Sequence, residues 1–114
     1  MTGTAYKIVA AGEWRAAVAA GRYEGSAVDR RDGYIHMSTE DQLAETARRH
    51  YAGQGDLMLL TVDLEALGEA LVWEPSRGGA LFPHLYAPLP ASAVTAARAF
   101  SVSDGGEMTM EAAA

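Results

Sequence analysis

The stretch Asp56-Leu57-Met58-Leu59-Leu60-Thr61-Val62-Asp63-Leu64 constrains the fold more than any other part of the chain. A half-exposed strand alternates apolar and polar residues, and this run does so hardly at all. An apolar run of this length suits a strand covered on both faces. It is the segment expected at the centre of a sheet.

The segments before it read as two strands and two helices. Tyr6-Lys7-Ile8-Val9-Ala10 alternates and carries β-branched residues, which predicts a first strand. Glu13 to Ala20 is rich in alanine, opens on an acidic residue and stops at Gly21, the pattern of a helix with a left-handed C-terminal cap. Trp14 and Val18, four apart, share one face of it, and Trp14 reads as core packing. Arg22 to Gly33 shows no period and is expected as a loop of about a dozen residues, longer than most connections in compact domains. Gly33-Tyr34-Ile35-His36-Met37-Ser38-Thr39 then reads as a short strand running into a helix start. Alternation points Ile35 and Met37 to one side and Tyr34, His36 and Ser38 to the other. Thr39-Glu40-Asp41-Gln42 has the capping-box pattern, Leu43, Ala47 and Tyr51 make one apolar stripe, and Gly53 ends this second helix.

Downstream, Glu65 to Gly68 reads as a turn, Ala70 to Pro75 as a strand, and Leu81 to Tyr86 as a strand that Pro83 demotes to an edge or an irregular one. Val94 to Phe100 is expected as the last strand, although its alanines also suit a helix. The order of elements implies an α+β domain over residues 1–100, with a mixed or antiparallel sheet and two early helices. The later connections are too short for crossover helices, which disfavours a doubly wound parallel sheet. Residues 101–114, with Gly105-Gly106 and a closing run of alanines, are expected to form a flexible tail.

Composition removes several classes of function. The 114 residues include no cysteine, which excludes disulfides, zinc-thiolate sites and thiol nucleophiles. A net charge of -6 opposes broad nucleic-acid binding, which needs a cationic field. No apolar run reaches the length of a membrane span, and the N-terminus shows no basic region followed by an apolar stretch. A cytoplasmic location is expected.

Polar residues on predicted strands are His36, Ser38, Glu74, His84 and Tyr86. Histidine with glutamate can do acid–base work or bind a divalent metal, but no pair here has ligand spacing, so no metal site is expected. Ser38 beside His36 has the residue types of a nucleophile and base, yet it lacks the Gly-flanked turn that exposes such a serine and serves equally well as a helix cap. His36, Ser38 and Tyr86 can instead recognise ribose, phosphate or a base. Against all of these stands a non-enzymatic interaction or scaffold domain in which the histidines are structural.

The strings Tyr6-Lys7-Ile8-Val9, Glu13-Trp14, Gly33 to Thr39, Trp73-Glu74-Pro75 and Leu81 to Pro90 resemble the bacterial family called domain of unknown function 952. The resemblance covers nearly the whole chain except the tail. It implies a compact ADP-ribosyltransferase-like fold, a split sheet with a cleft that in active relatives holds NAD. By that likeness His36 would bond the nicotinamide ribose with help from Ser38. His84 would take the place of a second histidine, as in tRNA 2′-phosphotransferases of the same fold, and Tyr86 would stack on nicotinamide. Many such transferases carry a glutamate on a late strand, and Val94 to Phe100 offers none. Glu74 is the only strand-borne candidate, at a different place in the chain. The implied ligand is NAD or a related nucleotide.

Overall fold

In the computed structural model, which describes residues 3–110, the apolar run forms a strand with a neighbour on each side. In chain order the elements are β1 (Thr4–Ala10), α1 (Ala11–Ala20), β2 (Arg22–Tyr23), α2 (Ala27–Asp32), β3 (Ile35–His36), α3 (Glu40–Tyr51), β4 (Leu57–Asp63), β5 (Leu71–Ser76), β6 (Ala80–Leu85), β7 (Leu89–Pro90), β8 (Val94–Val102) and β9 (Met108–Met110). Short 3₁₀ turns at Leu64–Ala70, Arg77–Gly79 and Ala91–Ala93 join the later strands. The fold is α+β, and every strand pair is antiparallel.

The main sheet has the order β1-β4-β8-β9. Alternation sends the side chains of β4 into two separate cores. Leu57 and Leu59 meet Leu43 and Ala47 of α3, with Ile8, Phe100 and Val102. Leu60 and Val62 join Ala17 of α1, Ile35 of β3 and Leu85 of β6. Helix α3 thus covers one face of the sheet, while α1 and the second sheet cover the other. This explains why the strand has no polar face.

Among the described residues, the second sheet, β3-β6-β5, meets the first at a single bridge. Tyr6 N–H donates to Ser38 O at 2.7 Å, and Ser38 N–H donates to Tyr6 O at 2.9 Å. The capping box that starts α3 also reaches this sheet. Gln42 Oε1 accepts from Thr39 N–H at 3.0 Å, and Gln42 Nε2 donates to the Leu81 carbonyl of β6 at 2.7 Å.

Several expectations need correction. The segment from Arg22 to Gly33 is not a loop: it holds β2, paired with β7, and the short helix α2. A reciprocal cap starts α2, in which Asp29 N–H donates to Ser26 Oγ and Ser26 N–H donates to Asp29 Oδ2. Gly33 ends it with φ 92°, a left-handed conformation that favours glycine. There are therefore three early helices, not two. Strand β6 is the middle strand of its sheet, not an edge. The Pro83 carbonyl accepts from Met37 N–H at 3.1 Å, so its backbone groups face the β3 side. There the Met37–Pro83 pair keeps only this one bond, because proline has no N–H to return, and the paired part of β3 stops at His36 opposite His84. Trp14 packs partly buried against the core as expected, whereas Val18, one turn on, is exposed, and Ala11 and Ala17 are the buried residues of α1. Within 101–114, β8 continues through buried Val102, and β9 pairs back onto it. Residues 111–114 lie outside the described residues.

Leu60 is fully buried on β4, whereas Leu81 is 52% exposed at the start of β6. Leu60→Ala is expected to cost about 2–5 kcal/mol in urea unfolding. Leu81→Ala should stay within about 0.5 kcal/mol of the wild type.

Candidate functional site

The site begins at Asp29, which the α2 cap aims inward and which is 2% exposed. An isolated buried carboxylate is costly, so it needs partners. Lys7 of β1, itself buried, places Nζ 3.2 Å from Oδ1 and 3.1 Å from Oδ2. His36 donates to Oδ1 twice, through its backbone N–H at 3.1 Å and through Nδ1 at 2.6 Å. Burial pushes the Asp29 carboxyl up, but the His36 ring, the Lys7 ammonium and the Ser26 and His36 amides outweigh it and hold it well below the usual range. Burial pushes the Lys7 ammonium down, against the opposing pull of Asp29.

His36 thereby acquires a fixed orientation. Its second nitrogen, Nε2, lies 3.0 Å from Asp32 Oδ2 at the end of α2. Both ring nitrogens face carboxylate oxygens, which only accept. The adjacent strand contributes a second imidazole–carboxylate pair. His84 pairs with His36 across β3 and β6, and with Val72 across β6 and β5. His84 Nδ1 lies 2.7 Å from Glu74 Oε1, and Tyr86 OH donates to that same oxygen at 2.7 Å. The hydrogen bonds from His84 and Tyr86 hold the Glu74 carboxyl below its usual range. The Tyr86 hydroxyl, bonded to Glu74, is pushed up to about 12.

Tyr34 packs the two pairs into one cluster. Its ring stacks on His84 with centroids 4.1 Å apart, and lies 4.5 Å from His36 and 5.2 Å from Tyr86. The two imidazole centroids are 5.7 Å apart. His84 is buried, His36 is one-third exposed, and Tyr86 is about half exposed. A shallow groove of ≈ 310 Å³ opens beside the rings, lined by Glu24, Asp29, Arg30, Tyr34 and Tyr86 among others. A second, of ≈ 410 Å³, is lined by Ala16, Ala17 and Ala20 of α1 and shares Glu24 and Arg30 with the first.

Of the residues that the sequence singles out, the structure brings together His36, Glu74, His84 and Tyr86. Ser38 does not join them. Strand β3 ends after His36, and Ser38 is buried with its hydroxyl 2.9 Å from Thr46 Oγ1 of α3. His50 lies exposed on α3. Lys7, Asp29, Asp32 and Tyr34 complete the cluster and were not candidates. Tyr34 alone had a local signal, since alternation already puts it on the face of His36. Among the described residues, no group of three or more His, Cys, Asp or Glu is placed to hold a metal ion. Among them, no helix is long and apolar enough to cross a membrane.

Removing one partner of a buried ion pair leaves the other uncompensated. Asp29→Asn is therefore expected to cost about 3–5 kcal/mol in chemical denaturation, and the Lys7→Met/Asp29→Asn double variant less than the sum of its parts. Because the folded state lowers the Asp29 pKa, its stabilisation is complete above about pH 4 and is lost as the pH falls through the folded value. Thermal melts from pH 7 down to pH 2 should thus show a steeper acid limb for the wild type than for the double variant.

Comparison with known proteins agrees with this geometry at the level of fold. The sequence profile of the family described as a protein of unknown function, DUF952, matches residues 8–97. The X-ray crystal structure of protein CC0527 from Caulobacter crescentus is 51% identical to this chain, with a TM-score of 0.88 over 93% of each chain. The solution NMR structure of CC0527 is also 51% identical, with a TM-score of 0.80 over 92% of this chain and 90% of that one. No curated protein matches. On a family profile that spans most of the sequence, the chain belongs to the DUF952 family.

Proposed function

We propose that the chain binds NAD or a related nucleotide in an ADP-ribosyltransferase-like cleft, with His36, His84 and Tyr86 at the end that takes the nicotinamide ribose. The observation that carries this reading is the cluster of Tyr34, His36, His84 and Tyr86 rings, of which Tyr34 and Tyr86 line an open groove. Aromatic faces offer stacking to a planar base, and His84, engaged through Nδ1 alone, offers Nε2 to a ribose hydroxyl. His36 would have to exchange its bond to Asp32 for one to the ligand. Arg30 supports the reading from the shared rim of the two grooves. It is exposed, and among the described residues its guanidinium has no hydrogen-bond or salt-bridge partner, so it is free to meet a phosphate. The split between the sheets beside β3 goes with the fold that the sequence resemblance implies. Ser38, buried against Thr46, has no part in the site. A cytoplasmic setting is where such nucleotides abound.

If the bound nucleotide reacts, Glu74 and His84 form the acid–base pair. The tautomer of His84 that directs Nδ1–H at Glu74 keeps a lone pair on Nε2, which is the arrangement of an oriented base. Glu74 thus has a stated task despite lying on β5 and not on a late strand.

A second reading, a non-enzymatic interaction domain, is favoured by one observation: no buried side-chain nitrogen or oxygen among the described residues lacks a partner, and His84 is buried within the cluster. Calorimetric titration separates the two. Wild-type protein should bind NAD and ADP-ribose saturably, and His36→Ala should weaken both at least about tenfold, the equivalent of about 1.4 kcal/mol. No heat at millimolar ligand, with His36→Ala lowering stability by about 1–3 kcal/mol, would leave the histidines as structural residues.

A further inference from the structure

We propose that the outer edge of β5 docks an extended, basic segment of a partner protein, which adds to the second sheet as an antiparallel strand. Docking of this kind needs nothing bound in the groove and is independent of the nucleotide reading.

The backbone defines the site. Strand β5 is the outer strand of β3-β6-β5, and among the described residues β6 is its only ladder partner. Tyr86 N–H donates to the Ala70 carbonyl, so alternation makes Val72–His84 and Glu74–Phe82 the hydrogen-bonded pairs of this ladder. Leu71, Trp73 and Pro75 then turn their backbone groups away from β6. The Pro83 carbonyl agrees with that parity, because it faces Met37 and not Trp73, its opposite number on β5. Of the outward groups, Leu71 N–H is taken by the Gly68 carbonyl, and Pro75 has no N–H. One free donor remains, Trp73 N–H. Beside it stand the carbonyls of Leu71, Trp73 and Pro75, none of which accepts a hydrogen bond among the described residues.

This shortage of donors decides between occupants. A second copy of the chain brings the same shortage. With Trp73 of one copy opposite Trp73 of the other, that pair bonds both ways, but each Leu71 carbonyl meets a proline. A strand of another sequence brings an N–H at every residue. It can donate to all three carbonyls and accept from Trp73, the main-chain bonding of strand addition. The edge is also open to it. Lysine, proline or an inward charge commonly guards such an edge, and here only Pro75, near one end, does so.

Side chains give the occupant its chemistry. Towards the edge, Val72 and Glu74 hold non-hydrogen-bonded positions, where cross-strand side chains come closest. Val72 is 38% exposed and the Glu74 side chain 36%. Glu74 has no lysine or arginine partner among the described residues, only the His84 imidazole, and its Oε2 makes no hydrogen bond among them. A lysine or arginine opposite Glu74, followed two residues later by an apolar side chain opposite Val72, fits both positions. The residue between them lies beside Trp73, 41% exposed on the other face, and is best apolar as well. A chain of net charge -6 attracts a basic segment from a distance.

The test is an NMR titration of the full chain with a capped five-residue peptide that has lysine second, valine third and fourth, and threonine at both ends. The peptide should shift the Trp73 amide saturably and slow its hydrogen exchange. Its counterpart with glutamate in place of lysine should bind about five- to tenfold more weakly. Trp73→Pro removes the one free donor and breaks no bond to β6, as Pro75 does at the same parity, so it should abolish binding. Trp73→Ala, which keeps the N–H, should only weaken it, and Glu74→Gln should bring the two peptides together. Three results overturn the proposal: no saturable binding of the lysine peptide at millimolar concentration, equal binding of both peptides by the wild type, or an unchanged preference in a folded Glu74→Gln. Binding by Trp73→Pro as tight as by Trp73→Ala does so too. Sedimentation that shows a dimer dissolved by Trp73→Pro gives the edge to a second copy, and equally overturns it.

Discussion

A carboxylate buried to 2% exposure can persist only where its charge is answered, and Asp29 is answered from three directions at once. Lys7 comes from β1, the Ser26 amide from the start of α2, and the amide and ring of His36 from β3. These segments belong to different layers of the molecule. The main sheet and the second sheet otherwise join near β3 through one bridge at Tyr6 and Ser38. The ion pair therefore does what a continuous sheet would have done, fixing the distance and angle between the two halves. It also fixes the ring of His36, and the orientation of the other rings is set against that ring.

The division of the sheet has a consequence for chemistry. A continuous sheet covers its own edges with hydrogen bonds and leaves little room beside them. Here β3 is two residues long, and the short strand leaves the side chains of Tyr34 and His36 at a rim. Strand β6 supplies His84 and leads into Tyr86, and β5 supplies Glu74 directly across from Phe82. Polar groups from three segments converge where the main-chain ladder is thinnest. The apolar β4, by contrast, carries no part of the site and supports it from below through Leu60 and Val62.

What could be read from the sequence was what local pattern encodes. The continuous apolar run gave β4 its central place, and Thr39 with Gln42 marked the start of α3, because both signals are complete within a few residues. Helix α2 was illegible for two reasons. Its cap uses Asp29 where glutamate or glutamine is the usual partner, and its apolar residue Val28 is 49% exposed, so no stripe appears. Its order depends on Lys7, 22 residues away, which no local window contains. The histidines and Glu74 stood out as polar residues on strands, but Asp29 was hidden inside the supposed loop. Ser38 was misplaced because alternation was carried past the point where β3 ends. The return of the chain as β9 went unread although Gly105-Gly106 lies between two short β-prone pieces, with Gly106 at φ 89°.

Helix α2 has six residues, too few to hold a helical shape alone in water. Its order is borrowed from the carboxylate at its third position, and that carboxylate is also the seat of the His36 ring. Local opening of this segment and loss of the ring's orientation are consequently one event, with one equilibrium constant. A substitution in β1 that loosens Lys7 would thus act on the ring cluster from a strand that contributes no ring to it. The chemistry at the rim is as cooperative as the smallest helix in the molecule.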